Sequence, residues 1–172
     1  MSTTYNGSYK PGGYTDADWR AKLVVDSATE TETQLKVPAE GKVGIAHYWY
    51  SSSYPSLKGT LSATGLSSKT GTVKCGSSGD IESNTSYKYA GGTFTFDKGE
   101  SSRKVTIKSS VTYMGNTSSA SREYTVPALE SFTMAFKNGT STVKTYTKYY
   151  GKSKNVTVPN APAAATGKTF VS

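Results

Sequence analysis

The chain has one histidine and one cysteine in 172 residues, so nucleophilic catalysis could draw only on the His47 imidazole and the Cys75 thiol. A Ser or Cys nucleophile needs a base beside it. Alternation along Val43-Gly-Ile-Ala-His-Tyr-Trp-Tyr50 turns His47 inward with Val43, Ile45 and Trp49, the position of a core histidine, with Trp49 as the core tryptophan. Asp16 and Asp18, or Asp80 and Glu82, lack the ligand density of a calcium loop and read as surface carboxylates. There is no phosphate-binding loop, dinucleotide fingerprint or Cys/His metal spacing. A glycosidase pair of carboxylates would need a deep cleft that two small β modules do not offer. The expectation is a non-enzymatic protein with no cofactor and no metal.

Recognition chemistry is better represented. The outward aromatics Tyr48, Tyr50 and Tyr54, and the group Tyr146, Lys148, Tyr149, Tyr150 and Lys152, could stack on sugars or meet an anionic wall polymer. The net charge of +8 is uneven, because the 42 residues after Glu130 hold six lysines and no acid. Such a basic segment can serve an anionic polymer, an acidic protein neighbour or simply a solvated face. The only arginines are Arg20, Arg103 and Arg122, all before the basic segment, which disfavours nucleic acid as a partner.

Strands must position these residues. Hydrophobic content of 34% is thin for a globule, and Thr, Ser, Gly and thirteen Tyr suit pleated, half-buried surfaces. Period-two runs predict strands at Ala21–Asp26, Thr33–Val37, Val43–Ser51, Gly59–Leu66, Thr70–Gly76, Gly92–Phe96, Arg103–Tyr113 and Arg122–Val126. In Arg103–Tyr113 the residues Val105, Ile107, Ser109, Val111 and Tyr113 share a face, opposite Lys104, Thr106, Lys108 and Thr112. Tyr113-Met-Gly-Asn-Thr117 signals a hairpin. The expected fold class is all-β: an N-terminal arm over 1–18 that orders on a partner or stays mobile, an immunoglobulin- or fibronectin-like β-sandwich over 19–127, and a small β module over 128–172. In the last, Phe132, Met134 and Phe136 alternate into an Asn138-Gly139 type I′ turn, with a return strand Val143–Tyr150, a third strand Lys154–Val158 and a fourth from Thr169 to Val171.

The second module resembles the Listeria–Bacteroides repeat, also called the internalin B-repeat. The likeness rests on Phe132–Phe136, Asn138-Gly139, Tyr150-Gly151-Lys152, Val156–Val158, Pro162 and Gly167-Lys168-Thr169-Phe170, in order over about 40 residues. It departs from the family at Lys168, where an aromatic is usual, and in lacking the closing Gly-Trp after Phe170. The resemblance implies a β-grasp-like spacer and adhesion module of bacterial surface and phage virion proteins. The first module, with Trp19 followed by Leu23-Val24-Val25 and a strand Lys104-Val-Thr-Ile-Lys108, is similar to the β-sandwich domains of tailed-phage structural proteins.

These likenesses imply a structural protein of a tailed-phage virion, a head decoration, head fibre or tail accessory, or else a receptor- or glycan-binding module. Expected partners are capsid or tail proteins bound through the N-terminal arm, other copies of the chain, and a host surface glycan or anionic wall polymer. Met1-Ser-Thr-Thr-Tyr-Asn6 lacks the basic and apolar regions of a secretory signal, and no apolar run approaches the roughly 18 residues of a membrane span. The expected localisation is therefore the virion, after synthesis in the host cytoplasm.

Overall fold

Alternation of small apolar and polar residues leaves the backbone one economical way to bury a thin core, which is to pair strands and stack two sheets. A computed structural model describes residues 1–12, 18–45, 49–50, 56–74, 80–81, 86–152 and 155–160, with the backbone alone at 49–50 and 80–81. The regular elements are all strands: β1 (Thr3–Asn6), β2 (Lys10–Pro11), β3 (Asp18–Val25), β4 (Thr29–Glu30), β5 (Gln34–Ile45), β6 (Trp49–Tyr50), β7 (Ser56–Ala63), β8 (Leu66–Lys74), β9 (Asp80–Ile81), β10 (Ser86–Asp97), β11 (Arg103–Tyr113), β12 (Asn116–Val126), β13 (Ser131–Asn138) and β14 (Ser141–Tyr149). Among these residues no helix is long and apolar enough to cross a membrane. The chain divides into two units, Met1–Ala128 and Leu129–Ser172.

In the first unit one sheet runs β1-β3-β5-β10, with β2 on β3 and β4 on β5, and the other runs β12-β11-β7-β8. Every pairing is antiparallel. Leaving out the short strands, β3-β5-β10 faces β8-β7-β11-β12 in a two-sheet β-sandwich. Leu23, Val25, Leu35, Val37, Phe94 and Phe96 of one sheet pack on Leu61, Val105, Ile107, Ala120 and Val126 of the other. A second cluster joins Trp19, Ala21, Val43 and Ile45 to Leu57, Val73 and Val111. The expected register of β11 holds: Val105, Ile107, Ser109 and Val111 are buried while Lys104, Lys108 and Thr112 are exposed.

Several expected boundaries move, each for a local reason. Thr33–Val37 and the start of Val43–Ser51 join in one strand, β5, because Pro38 sits where its missing N–H has no partner to serve, while Trp49–Tyr50 form β6. Its carbonyl accepts the Asp26 amide at 3.1 Å, so its nitrogen faces the gap between the β3 pairing, which starts at Ala39, and the β4 pairing, which stops at Lys36. Gly59–Leu66 instead splits at Thr64-Gly65, where Gly65 takes φ +72° and turns β7 into β8. Gly92–Phe96 and Arg122–Val126 lengthen to β10 and β12. The core tryptophan of the described residues is Trp19, fully buried and edge-on to Tyr113 at 6.3 Å; the Trp49 and His47 side chains lie outside the described residues.

The expected N-terminal arm is a correction. Thr3–Asn6 pairs with Lys22–Val25 on the outer edge of β3. Gly7 donates its amide to Ala21 at 2.9 Å. The Pro11 carbonyl accepts the Trp19 indole N–H at 3.2 Å, and the Ser8 carbonyl accepts the buried Ser118 hydroxyl at 2.7 Å. Ser118 in turn accepts the Ala21 amide at 3.0 Å, tying β12 to β3. Residues 1–12 thus satisfy buried donors of the sandwich, which composition could not show because the segment has no apolar period of its own.

The second unit holds one hairpin, β13 with β14, in the register Met134 to Tyr146. The turn differs from the expected Asn138-Gly139 pair. Asn138 pairs with Ser141, so Gly139 and Thr140 are the two loop residues. Gly139 has φ +58° and Thr140 stays out of the positive region, as a type II′ turn with glycine first requires. A bulge between Phe136 and Lys137 leaves Val143 as the extra residue. The expected third strand is corrected too, since residues 155–158 form no strand. The fourth, Thr169–Val171, lies outside the described residues.

Candidate functional site

The hairpin of the second unit carries most of the candidate binding residues that are described. Alternation along β13 puts Phe132, Met134 and Phe136 on one face, and the register adds Lys148, Tyr146 and Lys144 opposite them. Phe136 meets Tyr146 edge to face at 6.0 Å, and the Lys144 ammonium lies 5.1 Å from the Tyr146 ring centre. The Tyr146 hydroxyl donates to the Thr157 carbonyl at 2.6 Å, and Lys148 Nζ donates to the Asn155 carbonyl at 2.6 Å. Tyr146 and Lys148 therefore hold the segment after β14 against the hairpin. Their polar ends serve the unit's own backbone.

The other candidates fall elsewhere. Tyr149 pairs with Ser131 and faces the opposite side of the hairpin. Tyr150 follows β14, donates its amide to the Glu130 carbonyl at 2.9 Å and packs edgewise on Phe132 at 5.7 Å. The exposed Lys152 closes the turn through its amide to the Tyr149 carbonyl at 3.2 Å. The five residues do not make one platform. Tyr48 and Tyr54 lie outside the described residues, and Tyr50 is placed only by its backbone, opposite Asp80. Among the described residues no three His, Cys, Asp or Glu side chains gather as a metal site would require.

No protein-family model, curated protein or solved structure matches this chain. What it can do is read from its own geometry.

Two features of the sandwich escaped the sequence. The first is Tyr89, carried inward by a bulge in β10 between Lys88 and Ala90. Its ring occupies the space that side chains at Gly41 and Gly59 would need, and its carbonyl oxygen does the same at Gly71. Its hydroxyl donates to the Thr60 carbonyl at 3.0 Å and shares a 2.7 Å hydrogen bond with Ser109 Oγ. Burial raises the Tyr89 pKa above 10.0. Ser109, an oddity on an otherwise apolar face of β11, is thereby explained as the partner of a tyrosine that joins both core clusters. Three interior glycines near one tyrosine were the available signal.

The second is cationic. On the outer face of the β3-β5-β10 sheet, Lys22, Lys42 and Lys88 stand in one cross-strand row, next to Arg20. Glu40 pairs with Lys42 at 3.1 Å and with Lys88 at 2.5 Å. Its carboxyl is held below the ordinary value by the Lys88 hydrogen bond first and the Lys42 one second. The basic residues were counted in the sequence, but their convergence depends on pairing between strands far apart in the chain.

Proposed function

We propose that the chain is a non-enzymatic structural protein of a tailed-phage particle, attached by one β unit and presenting the other. The observation that supports this reading best is the construction of the sandwich. Residues 1–12 cover the β3 edge and bond to β12, while on the other flank Lys69 of β8 donates to the Gly91 carbonyl of β10 at 3.4 Å. The strand left outermost, β1, is only four residues long, and a short edge suits a module that stands beside many copies of itself, because long bare edges invite strand addition. Attachment in this reading uses a face of the sandwich, since residues 1–12 are already engaged within it.

A second reading, contact with a host surface glycan or anionic wall polymer, is favoured by the exposed lysines of the hairpin, Lys137, Lys144 and Lys152, and by the cationic sheet face. The test of the first reading is gel analysis of purified particles carrying full-length protein or a form lacking residues 131–172. Co-purification of both forms is expected if the sandwich attaches. Absence of the full-length protein from particles would refute the reading, and loss of only the shortened form would make the second unit the attachment.

A further inference from the structure

Like charges placed directly opposite one another in a sheet are destabilising, yet the register of the first unit pairs Lys22 with Lys42 and Lys42 with Lys88. The neighbouring row, two residues along, is Arg20, Gly44 and Ser86. Glu40 is shared by Lys42 and Lys88, which leaves Arg20 and Lys22 with no carboxylate among the described residues. Asp18, on the same face as Arg20, makes no ion pair with it.

The array is held in place. Gly44 has no side chain, and any Cβ there would strike Lys22 Cε, so the lysine stem crosses the strand to donate to Ser86 Oγ at 2.7 Å. Arg20 lies over the Tyr9 ring at 4.3 Å, with its Nε buried and unpartnered. Burial lowers the Lys22 pKa, with Arg20 and then Lys42 adding to the effect. The opposed lysines, the partly desolvated Lys22 ammonium and the unpartnered Arg20 Nε cost the isolated protein stability, and an outside anion would relieve them.

We propose that this face docks a linear phosphate polymer without bases, of the poly(glycerol phosphate) kind, whose successive phosphates meet the Lys22, Lys42 and Lys88 row and the adjoining Arg20. Strands lie about 4.8 Å apart and same-face residues along a strand about 6.8 Å apart. The cations thus form a two-dimensional grid on which a flexible chain can place one phosphate after another. Binders of single-stranded nucleic acid add aromatic platforms for the bases. This face offers Gly44, Ser86, Val24 and Thr4 instead, and the Tyr9 ring is taken by Arg20. The inference deepens the second reading above, on the sandwich alone, and is independent of the particle reading.

The test titrates full-length protein with fluorescently labelled poly(glycerol phosphate) at several salt concentrations. Wild type should bind with an affinity that falls as salt rises. Lys22→Gln/Lys42→Gln should weaken binding at least about tenfold and flatten the log–log salt slope by about 1.4, as expected for two lost phosphate contacts on a flexible strand. Its thermal midpoint should not fall, because repulsion is removed; if it does fall, the exposed Lys88→Gln carries the test with a smaller loss of binding in a folded protein. Lys104→Gln/Lys108→Gln on the other sheet should bind within about twofold of wild type, and Lys144→Gln/Lys152→Gln tests whether the second-unit lysines carry the binding instead. The proposal is overturned by no binding in wild type, by equal loss in all the double variants, by loss only in the second-unit variant, or by tighter binding of an oligodeoxythymidylate of equal charge.

Discussion

Replacing Tyr89 by Phe keeps the ring that fills the space beside Gly41 and Gly59 and removes only the hydroxyl. Two hydrogen bonds go with it, to the Thr60 carbonyl at 3.0 Å and to Ser109 Oγ at 2.7 Å. The net loss of a hydrogen bond costs about 1 kcal/mol, and a buried hydroxyl left without a partner costs about 1–2 kcal/mol more. Ser109 is fully buried, so the second cost applies and Tyr89→Phe, with two bonds lost, should destabilise the sandwich by about 3–4 kcal/mol. Ser109→Ala leaves the tyrosine its Thr60 acceptor and should cost about 1 kcal/mol. The double variant has no orphaned hydroxyl, so it should lose only about 2 kcal/mol, less than the sum of the single losses by about 2–3 kcal/mol. Both tryptophans, Trp19 and Trp49, belong to the first unit, so tryptophan fluorescence in a urea titration reports that unit alone. Strict additivity of the two single variants at unchanged m-value would refute the buried pairing.

The same tyrosine sets an alkaline limit: with its folded pKa raised by burial above 10.0, it stabilises the fold fully below pH 10.0, and that contribution is lost as pH rises through the folded value. Stability should be level to about pH 9 and then decline, less steeply in Tyr89→Phe, as followed by urea midpoints across pH. Met114 adopts φ 47° in the two-residue turn between β11 and β12, so Met114→Asn should stabilise by about 0.5–1 kcal/mol in the same titration; an unchanged midpoint would contradict the turn. Val105→Asp or Ile107→Asp should abolish cooperative unfolding because each buries an unpaired charge, whereas exposed Lys108→Asp should not. Removing residues 1–12 should lower the thermal midpoint by about 10 °C or more, since Trp19 and Ser118 lose buried partners; an unshifted midpoint would restore the free arm.

What the sequence disclosed was whatever rests on local alternation. The β11 face could be read residue by residue because Val, Ile and Lys alternate without interruption, and the all-β class followed from many such runs. Pro38 and Gly65 misled in opposite directions. A proline ends a strand only where its nitrogen faces a partner, and a lone glycine within an alternating run gives no sign of its φ. The role of residues 1–12 was invisible because the contacts that fasten them to Trp19, Ala21 and Ser118 are backbone carbonyls and amides, which carry no residue type. For the candidate site, the aromatic and lysine residues of β14 were found, but alternation sends Tyr146 and Tyr149 to opposite faces, and proximity in sequence was mistaken for a shared surface. The cationic row needed the register of three strands.

The knot of bonds at Ser118 has a bearing on how the chain is made. Its hydroxyl joins the Ala21 amide, 97 residues away, and the Ser8 carbonyl, 110 residues away. During translation the first strands therefore leave the ribosome long before the residue that fastens them exists. The Trp19 cluster lacks its Val111 contact until β11 emerges, and the β3 flank lacks its tie until β12 does. Contacts of such separation fold slowly and leave strand edges open to neighbours in the meantime. Where many copies are produced at once, the rate of completing the last hairpin of the sandwich, Arg103 to Val126, sets how long each nascent chain remains open to capture by another.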